Sequence, residues 1–122
     1  MSMMSTRFLF TKNDRLLKPA DFTAAFKEGK KTHTKNFMVC IFKKTSEQTC
    51  KKRLGISVGS IAGNAVRRNK LKRLIREYFR LNKTRLLPKI TADIVINVKK
   101  GNQAEYFKDI AIELNKILTT SY

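Results

Sequence analysis

Seven of the sixteen residues from Ala65 to Arg80 are Lys or Arg, and one, Glu77, is acidic. Spaced at about 100° per residue on a helix, they sort by chemistry. Leu71, Leu74, Ile75, Tyr78 and Phe79 fall on one side, and Asn69, Lys72, Arg73, Arg76 and Arg80 gather on the other. Guanidinium forks and ammonium point charges on one face suit the oxygens of a phosphate backbone. Binding through such a face weakens with salt, with a log–log slope of about −0.7 to −0.9 per phosphate neutralised. Asn69 adds an amide, both donor and acceptor, for a base edge, a 2′-hydroxyl or a metal-bound water. The plainer reading is a solvated helix face, but such faces usually mix signs.

The other reactive residue types form no constellation. The nine carboxylates are scattered, and Glu77 reads as an intrahelical partner of Arg73 or Arg80 rather than a base. His33 stands alone in a polar stretch and reads as a surface residue. Cys40 and Cys50 read as two free thiols of a reducing compartment, and no Cys/His group has metal-ligand spacing. No zinc-finger spacing and no basic helix running into heptads is present. The chain therefore reads as one that binds and positions.

A net charge of +18 repels itself in the folded state, so a polyanion is the natural counterweight. Nucleic acid is the first candidate and an anionic membrane surface the second. With 122 residues and 42% hydrophobic content, residues 1–122 read as one domain with a single core, with 1–13 flexible. The longest apolar stretches, around Phe37–Phe42 and Ile94–Val98, fall far short of the roughly 20 residues that span a bilayer. Phe8-Leu9-Phe10 is too short for an export signal, so the expected location is the cytoplasm.

Several elements must position the basic face. Pro19 suits the first turn of a short helix carrying Phe22 and Phe26 at i, i+4, with Gly29 as its stop. Asn36–Lys43 alternates as a strand, with Phe37, Val39 and Ile41 on one face and Met38, Cys40 and Phe42 on the other. Ser46–Lys52 reads as a hairpin connection to a second strand, Arg53–Val58. There Gly55 and Ser57 leave one face with little bulk, open to close approach by another molecule. Asn64 suits the N-cap of the basic helix. Ala92–Val98 is a β-branched strand. Gln103–Leu118 is an amphipathic helix with Glu105, Asp109 and Glu113 in an acidic stripe that should face away from a polyanion. The order is helix, two or three strands, helix, strand, helix: an α+β sandwich on one sheet.

Gly63-Asn64-Ala65-Val66, Arg68-Asn69, Lys72-Arg73 and Arg76-Glu77, in that order, resemble the signature of the bacterial ribonuclease P protein subunit family. Arg15-Leu16-Leu17-Lys18-Pro19-Ala20-Asp21-Phe22, with Phe26, is similar to that family's N-terminal helix. Leu54-Gly55-Ile56-Ser57-Val58 is similar to the strand leading into the signature. The resemblance covers roughly residues 14–118.

The resemblance implies an α/β sandwich with one mixed sheet of about four strands and a left-handed βαβ crossover, against the usual right-handed rule. It implies the small partner of a catalytic RNA, a subunit of an endoribonuclease holoenzyme that cuts precursor tRNA to its mature 5′ end. The chemistry would be RNA-borne, an in-line attack by a metal-activated water using Mg²⁺ held mainly by the RNA. Arg68, Asn69, Lys72, Arg73 and Arg76 would contact the catalytic RNA. Phe22, Phe26, Met38, Cys40 and Ser57 would line a groove for the single-stranded 5′ leader, where aromatic rings stack on bases without strict sequence preference. Without the resemblance, Phe22 and Phe26 read as core. No metal bound by this chain and no stable protein partner is implied.

Two positions depart from the family pattern. Cys40 stands where the family often has an aromatic residue, so a stacking platform is replaced by a softer contact. Ser60 and Ile61 stand where two lysines often precede the Gly63-Asn64 pair, and Lys99 and Lys100 are the nearest compensating charges. A different class, a structural RNA-binding protein such as a ribosomal protein, fits the composition equally well. So does a basic protein of membrane surfaces or DNA, which would bind any polyanion alike.

Overall fold

The structure is a computed structural model that describes residues 15–16, 18–44, 52–59, 63–82, 91–102 and 104–118. Its elements are α1 (Pro19–Glu28), β1 (Lys30–His33), β2 (Phe37–Lys44), β3 (Lys52–Ser57), α2 (Ala65–Asn82), β4 (Thr91–Val98) and α3 (Phe107–Leu118). The strands form one mixed sheet in the order β1-β2-β4-β3. β1 and β2 are antiparallel, as are β2 and β4, while β3 runs parallel to β4.

Local chemistry sets the ends of the helices. Pro19 occupies the first turn of α1, where its missing N–H costs nothing, and the Gly29 N–H closes the helix on the Ala25 carbonyl at 2.9 Å. The Asn64 side chain accepts from the Arg67 N–H at 2.9 Å, the expected N-cap of α2. The final helix starts at Phe107, later than the sequence suggested. Asp109 Oδ2 accepts the N–H groups of Glu105 and Tyr106 at 3.2 and 3.0 Å, which holds the preceding residues outside the helix.

Two apolar layers flank the sheet. On one side α2 and α3 bury Leu71, Ile75, Tyr78, Phe79, Ile110 and Leu114 against Phe37, Val39, Ile41, Leu54, Ile94 and Ile96. On the other, α1 lays Ala25, Phe22 and Phe26 on Cys40, Val95, Met38, Phe42 and Leu16. Both faces of β2 and β4 are therefore covered, as their near-continuous apolar sequences require. Tyr78 seals the join of α2 and α3 by donating its hydroxyl to Asn115 Oδ1 at 2.6 Å.

The expected hairpin between the strands at Phe37–Lys44 and Lys52–Ser57 does not form. β4 lies between them, and β2 pairs instead with β1, in a register that sets Lys31 opposite Cys40 and His33 opposite Met38. The β-branched, doubly apolar β4 is the strand best suited to the buried centre.

The hand of the β3–α2–β4 crossover follows from chirality. A strand of L-residues drawn upward, with a side chain toward the viewer, carries that residue's carbonyl on the right. Seen from the α2 side, the Leu54 side chain faces the viewer, and its carbonyl accepts the Leu16 N–H at 2.9 Å. Residues 15–16 therefore lie to the right of β3, and β4 lies to the left. A path that rises through β3, returns in front through α2 and enters β4 on the left is left-handed. This is the crossover the resemblance implied.

Candidate nucleic-acid interface

The face of the sheet under α1 is built in three rows, each read across the strands from the registers. His33, Met38, Asn97 and Ser57 form one row; Lys31, Cys40, Val95 and Gly55 the next; Phe42, Asp93 and Arg53 a third. α1 crosses the second and third rows and leaves the first as the open floor of a groove. Met38, Asn97 and Ser57 are half-buried there, and His33 is exposed at the rim. Phe22 and Phe26, also half-buried, form the α1 wall.

Four of the five predicted groove residues thus line one surface. Cys40 does not: it is 0% exposed beneath Ala25 and beside Val95, so it supports the groove from below and cannot touch a strand of RNA. Burial also pushes its thiol pKa up, which disfavours the thiolate and nucleophilic chemistry. Gly55 is not an open approach site either. A Cβ there would lie 2.7 Å from Phe22 Cε1 and 2.9 Å from Leu16 Cδ1, so the chain's own residues fill the space the glycine leaves. Asn97 escaped the sequence reading because its place in the row depends on the register of β4. Its Nδ2 is buried without a hydrogen-bond partner.

One side-chain network ties α1 over the second and third rows. Arg53 donates through Nε and Nη2 to both oxygens of Asp93 at 2.9 Å, and its Nη2 reaches Asp21 of α1 at 3.5 Å. Asp93 is 2% exposed, so this bidentate partner is what makes its burial tolerable. The same hydrogen bond to Asp93 raises the Arg53 pKa further, which keeps the guanidinium charged.

The basic helix carries its charges in separate lines. Asn69 and Arg73 are exposed along the crest. Arg80, further along, is held by Glu77, whose carboxyl pKa is lowered by that hydrogen bond. Arg68, Lys72 and Arg76, spaced i, i+4, i+8, are half-buried along the flank nearest β3. The Arg68 Nε is buried without a hydrogen-bond partner. On the far flank, Lys70 Nζ sits 5.5 Å from the centre of the exposed Tyr106 ring, which extends the cationic surface to the start of α3.

Arg67 belongs to the fold. Its Nη2 donates to the Asn102 carbonyl at 3.0 Å, to Asn102 Oδ1 at 2.7 Å and to the Ala104 carbonyl at 3.1 Å. The helical projection already places it on the core side, although its charge alone would have grouped it with the rest. The acidic stripe of α3 is likewise structural: Asp109 caps the helix, and Glu113 accepts from the Asn36 N–H at 3.0 Å and from its side-chain amide. Lys99 donates to the Thr34 carbonyl at 2.7 Å, which engages one of the two proposed compensating charges. Ser60, Ile61, Cys50, the Ser46–Lys52 connection up to its last residue, and the N-terminal residues 1–13 lie outside the described residues. Among the described residues, no helix is long and apolar enough to cross a membrane, and no three His, Cys, Asp or Glu side chains group to hold a metal.

Comparison with known proteins places these surfaces in a family context. The family model for ribonuclease P matches residues 10–122. The chain is 38% identical over 108 residues to the ribonuclease P protein component of Syntrophus aciditrophicus, covering 88% of this chain and 87% of that one. It is similar in structure to the RNase P protein of Thermotoga maritima, with a TM-score of 0.72 at 38% identity over 86% of this chain and 94% of that one. The Staphylococcus aureus RNase P protein superposes with a TM-score of 0.73 at 32% identity, over 85% and 91% of the two chains.

Proposed function

The chain belongs to the ribonuclease P protein family, and from that premise we propose how its two surfaces divide the work. As a subunit of the ribonuclease P holoenzyme it binds RNA and takes part in processing the 5′ end of precursor tRNA. A structural protein such as a ribosomal component is not favoured, since the family match spans nearly the whole chain. The basic surface of α2, with Arg68, Asn69, Lys72, Arg73 and Arg76, engages the catalytic RNA. The groove of Phe22, Phe26, Met38, Asn97 and Ser57 receives the single-stranded leader. Residues 1–122 act as one RNA-binding domain.

The observation that carries this reading is the separation of the surfaces. The open row of the sheet and the crest of α2 lie on opposite sides of β3, so one protein can hold two RNA segments at once. Of the three buried polar side-chain atoms without partners among the described residues, Arg68 Nε and Asn97 Nδ2 sit one on each surface, and a bound RNA oxygen would satisfy each. Half-buried rings on α1 offer stacking area with little sequence demand.

Mg²⁺ is assigned mainly to the RNA partner, as membership of the family implies, and no step of the reaction is routed through this chain. Its contribution is to hold substrate and catalytic RNA in register. Reconstitution with the cognate catalytic RNA at low Mg²⁺ tests the reading. Wild-type protein should stimulate precursor-tRNA cleavage. Arg73→Ala should weaken catalytic-RNA binding and make its salt slope shallower by about 0.7–0.9. Phe22→Ala should lower affinity for leader-bearing substrate more than for mature tRNA. Variants that lose only thermal stability, with RNA affinities intact, would show the surfaces to be misassigned.

A further inference from the structure

A pocket of about 150 Å³ opens at the outer edge of β3, between the two surfaces. Lys72 and Arg76 form one wall, Arg15, Leu16 and the Phe22 ring the other, and Ile56 lies at the strand edge between them. The volume is well below the roughly 300–1,000 Å³ typical of small-molecule sites, which suits a group of phosphate size. The Leu54 carbonyl points to this edge, where it accepts the Leu16 N–H. Ile56, two residues on, presents its own N–H and carbonyl the same way. Among the described residues nothing pairs with them, and neither Lys72 nor Arg76 is held in an ion pair. Among the described residues no carboxylate lines the pocket.

Three cations, Arg15, Lys72 and Arg76, converge with the Ile56 backbone edge and an aromatic edge on this space. We propose that this pocket binds one phosphodiester of the single-stranded leader, with Lys72 and Arg76 as its ligands. The inference rests on the groove assignment above and sharpens it. Phe22 is wall to both groove and pocket, so an RNA strand stacked on its ring places a neighbouring phosphate within the cationic wall. Asn69 and Arg73 on the crest then meet the catalytic RNA alone, while Lys72 and Arg76, part of the same basic surface, also meet the leader where they line the pocket.

The test uses holoenzyme reconstituted with the cognate catalytic RNA. Precursor tRNAs carry a neutral methylphosphonate at one leader linkage at a time, and affinity is compared with the unmodified precursor and with mature tRNA. For wild-type protein, one linkage should cost about tenfold in affinity. Arg76→Ala and Lys72→Ala should each lose affinity for the unmodified precursor and become insensitive to neutralisation at that same linkage. Arg73→Ala should keep the wild-type sensitivity there. If Arg76→Ala and Lys72→Ala stay as sensitive as wild type at every linkage, or weaken catalytic-RNA binding alone, the pocket is part of the catalytic-RNA contact and the proposal is overturned. If wild-type holoenzyme binds precursor and mature tRNA equally, the groove assignment itself fails. Thermal melts of each variant separate both outcomes from misfolding.

Discussion

Arg53 is half-exposed, yet it holds the most buried charge in the described structure. It donates two hydrogen bonds to the Asp93 carboxylate, and Asp21 docks α1 onto the same guanidinium. Arg53→Ala removes a bidentate partner from a carboxylate that is 2% exposed. The expected cost is about 2–3 kcal/mol, below the range for a fully buried pair because Arg53 itself reaches water. Chemical denaturation measures it, and a loss under about 0.5 kcal/mol, the scale of an ordinary surface change, would show the pair to be incidental. Asp109 gives a pH-dependent counterpart. Hydrogen bonds from the Tyr106 and Glu105 N–H groups lower its carboxyl pKa. A depressed folded pKa contributes stability that is present above the unfolded value, about 3.9, and is lost as pH falls through the folded value. The melting-temperature gap between wild type and Asp109→Ala should be full at pH 6 and narrow below about pH 4. A gap that widens on acidification would rule out the cap as its source.

At the scale of elements, the groove is a consequence of where α1 lies. It covers two rows of the sheet and leaves the third open, and Gly55 sets how closely its Phe22 ring can sit. Gly55→Ala places a methyl 2.7 Å from that ring, so Phe22 must move. Overpacking of this kind costs about 1–3 kcal/mol. The variant should therefore lose leader-dependent affinity while keeping catalytic-RNA affinity, measured with precursor and mature tRNA on reconstituted holoenzyme. Equal loss on both would mean the substitution acts through global stability alone. α2 divides in the same way. One 18-residue helix presents an apolar stripe, a flank over β3 and an exposed crest, because residues 100° apart meet different surroundings.

The whole molecule carries a net charge of +18, and the outward face of α2 is a dense part of it. Without RNA, self-repulsion lowers stability, and added salt screens it. The melting temperature of the free protein should rise between low and moderate NaCl while its affinity for catalytic RNA falls over the same range. Calorimetry and a binding titration in matched buffers check the pair of trends. Parallel trends would show that charge is not the shared cause. Burial of both faces of β2 and β4 sets the frame that holds these charges apart.

Apart from the short, largely polar β1, the elements were legible from sequence because their signals are local. The alternation of Phe37–Phe42, the spacing of Leu71, Ile75 and Tyr78, and the caps at Pro19 and Asn64 each act over a few residues. Composition and the ordered signature were enough to name the family. Strand order was not legible: Ser46–Lys52 reads as a hairpin, and only competition for the buried centre places β4 between β2 and β3. The site shows the same division. The basic face follows from helical periodicity alone. The groove floor does not, because Met38, Asn97 and Ser57 meet only through strand registers that link residues up to 59 positions apart. Cys40 falls beneath α1, Arg67 turns inward to Asn102, and the pocket forms where a strand edge, a helix flank and Phe22 converge. Those outcomes belong to long-range packing, which charge and spacing along the chain do not encode.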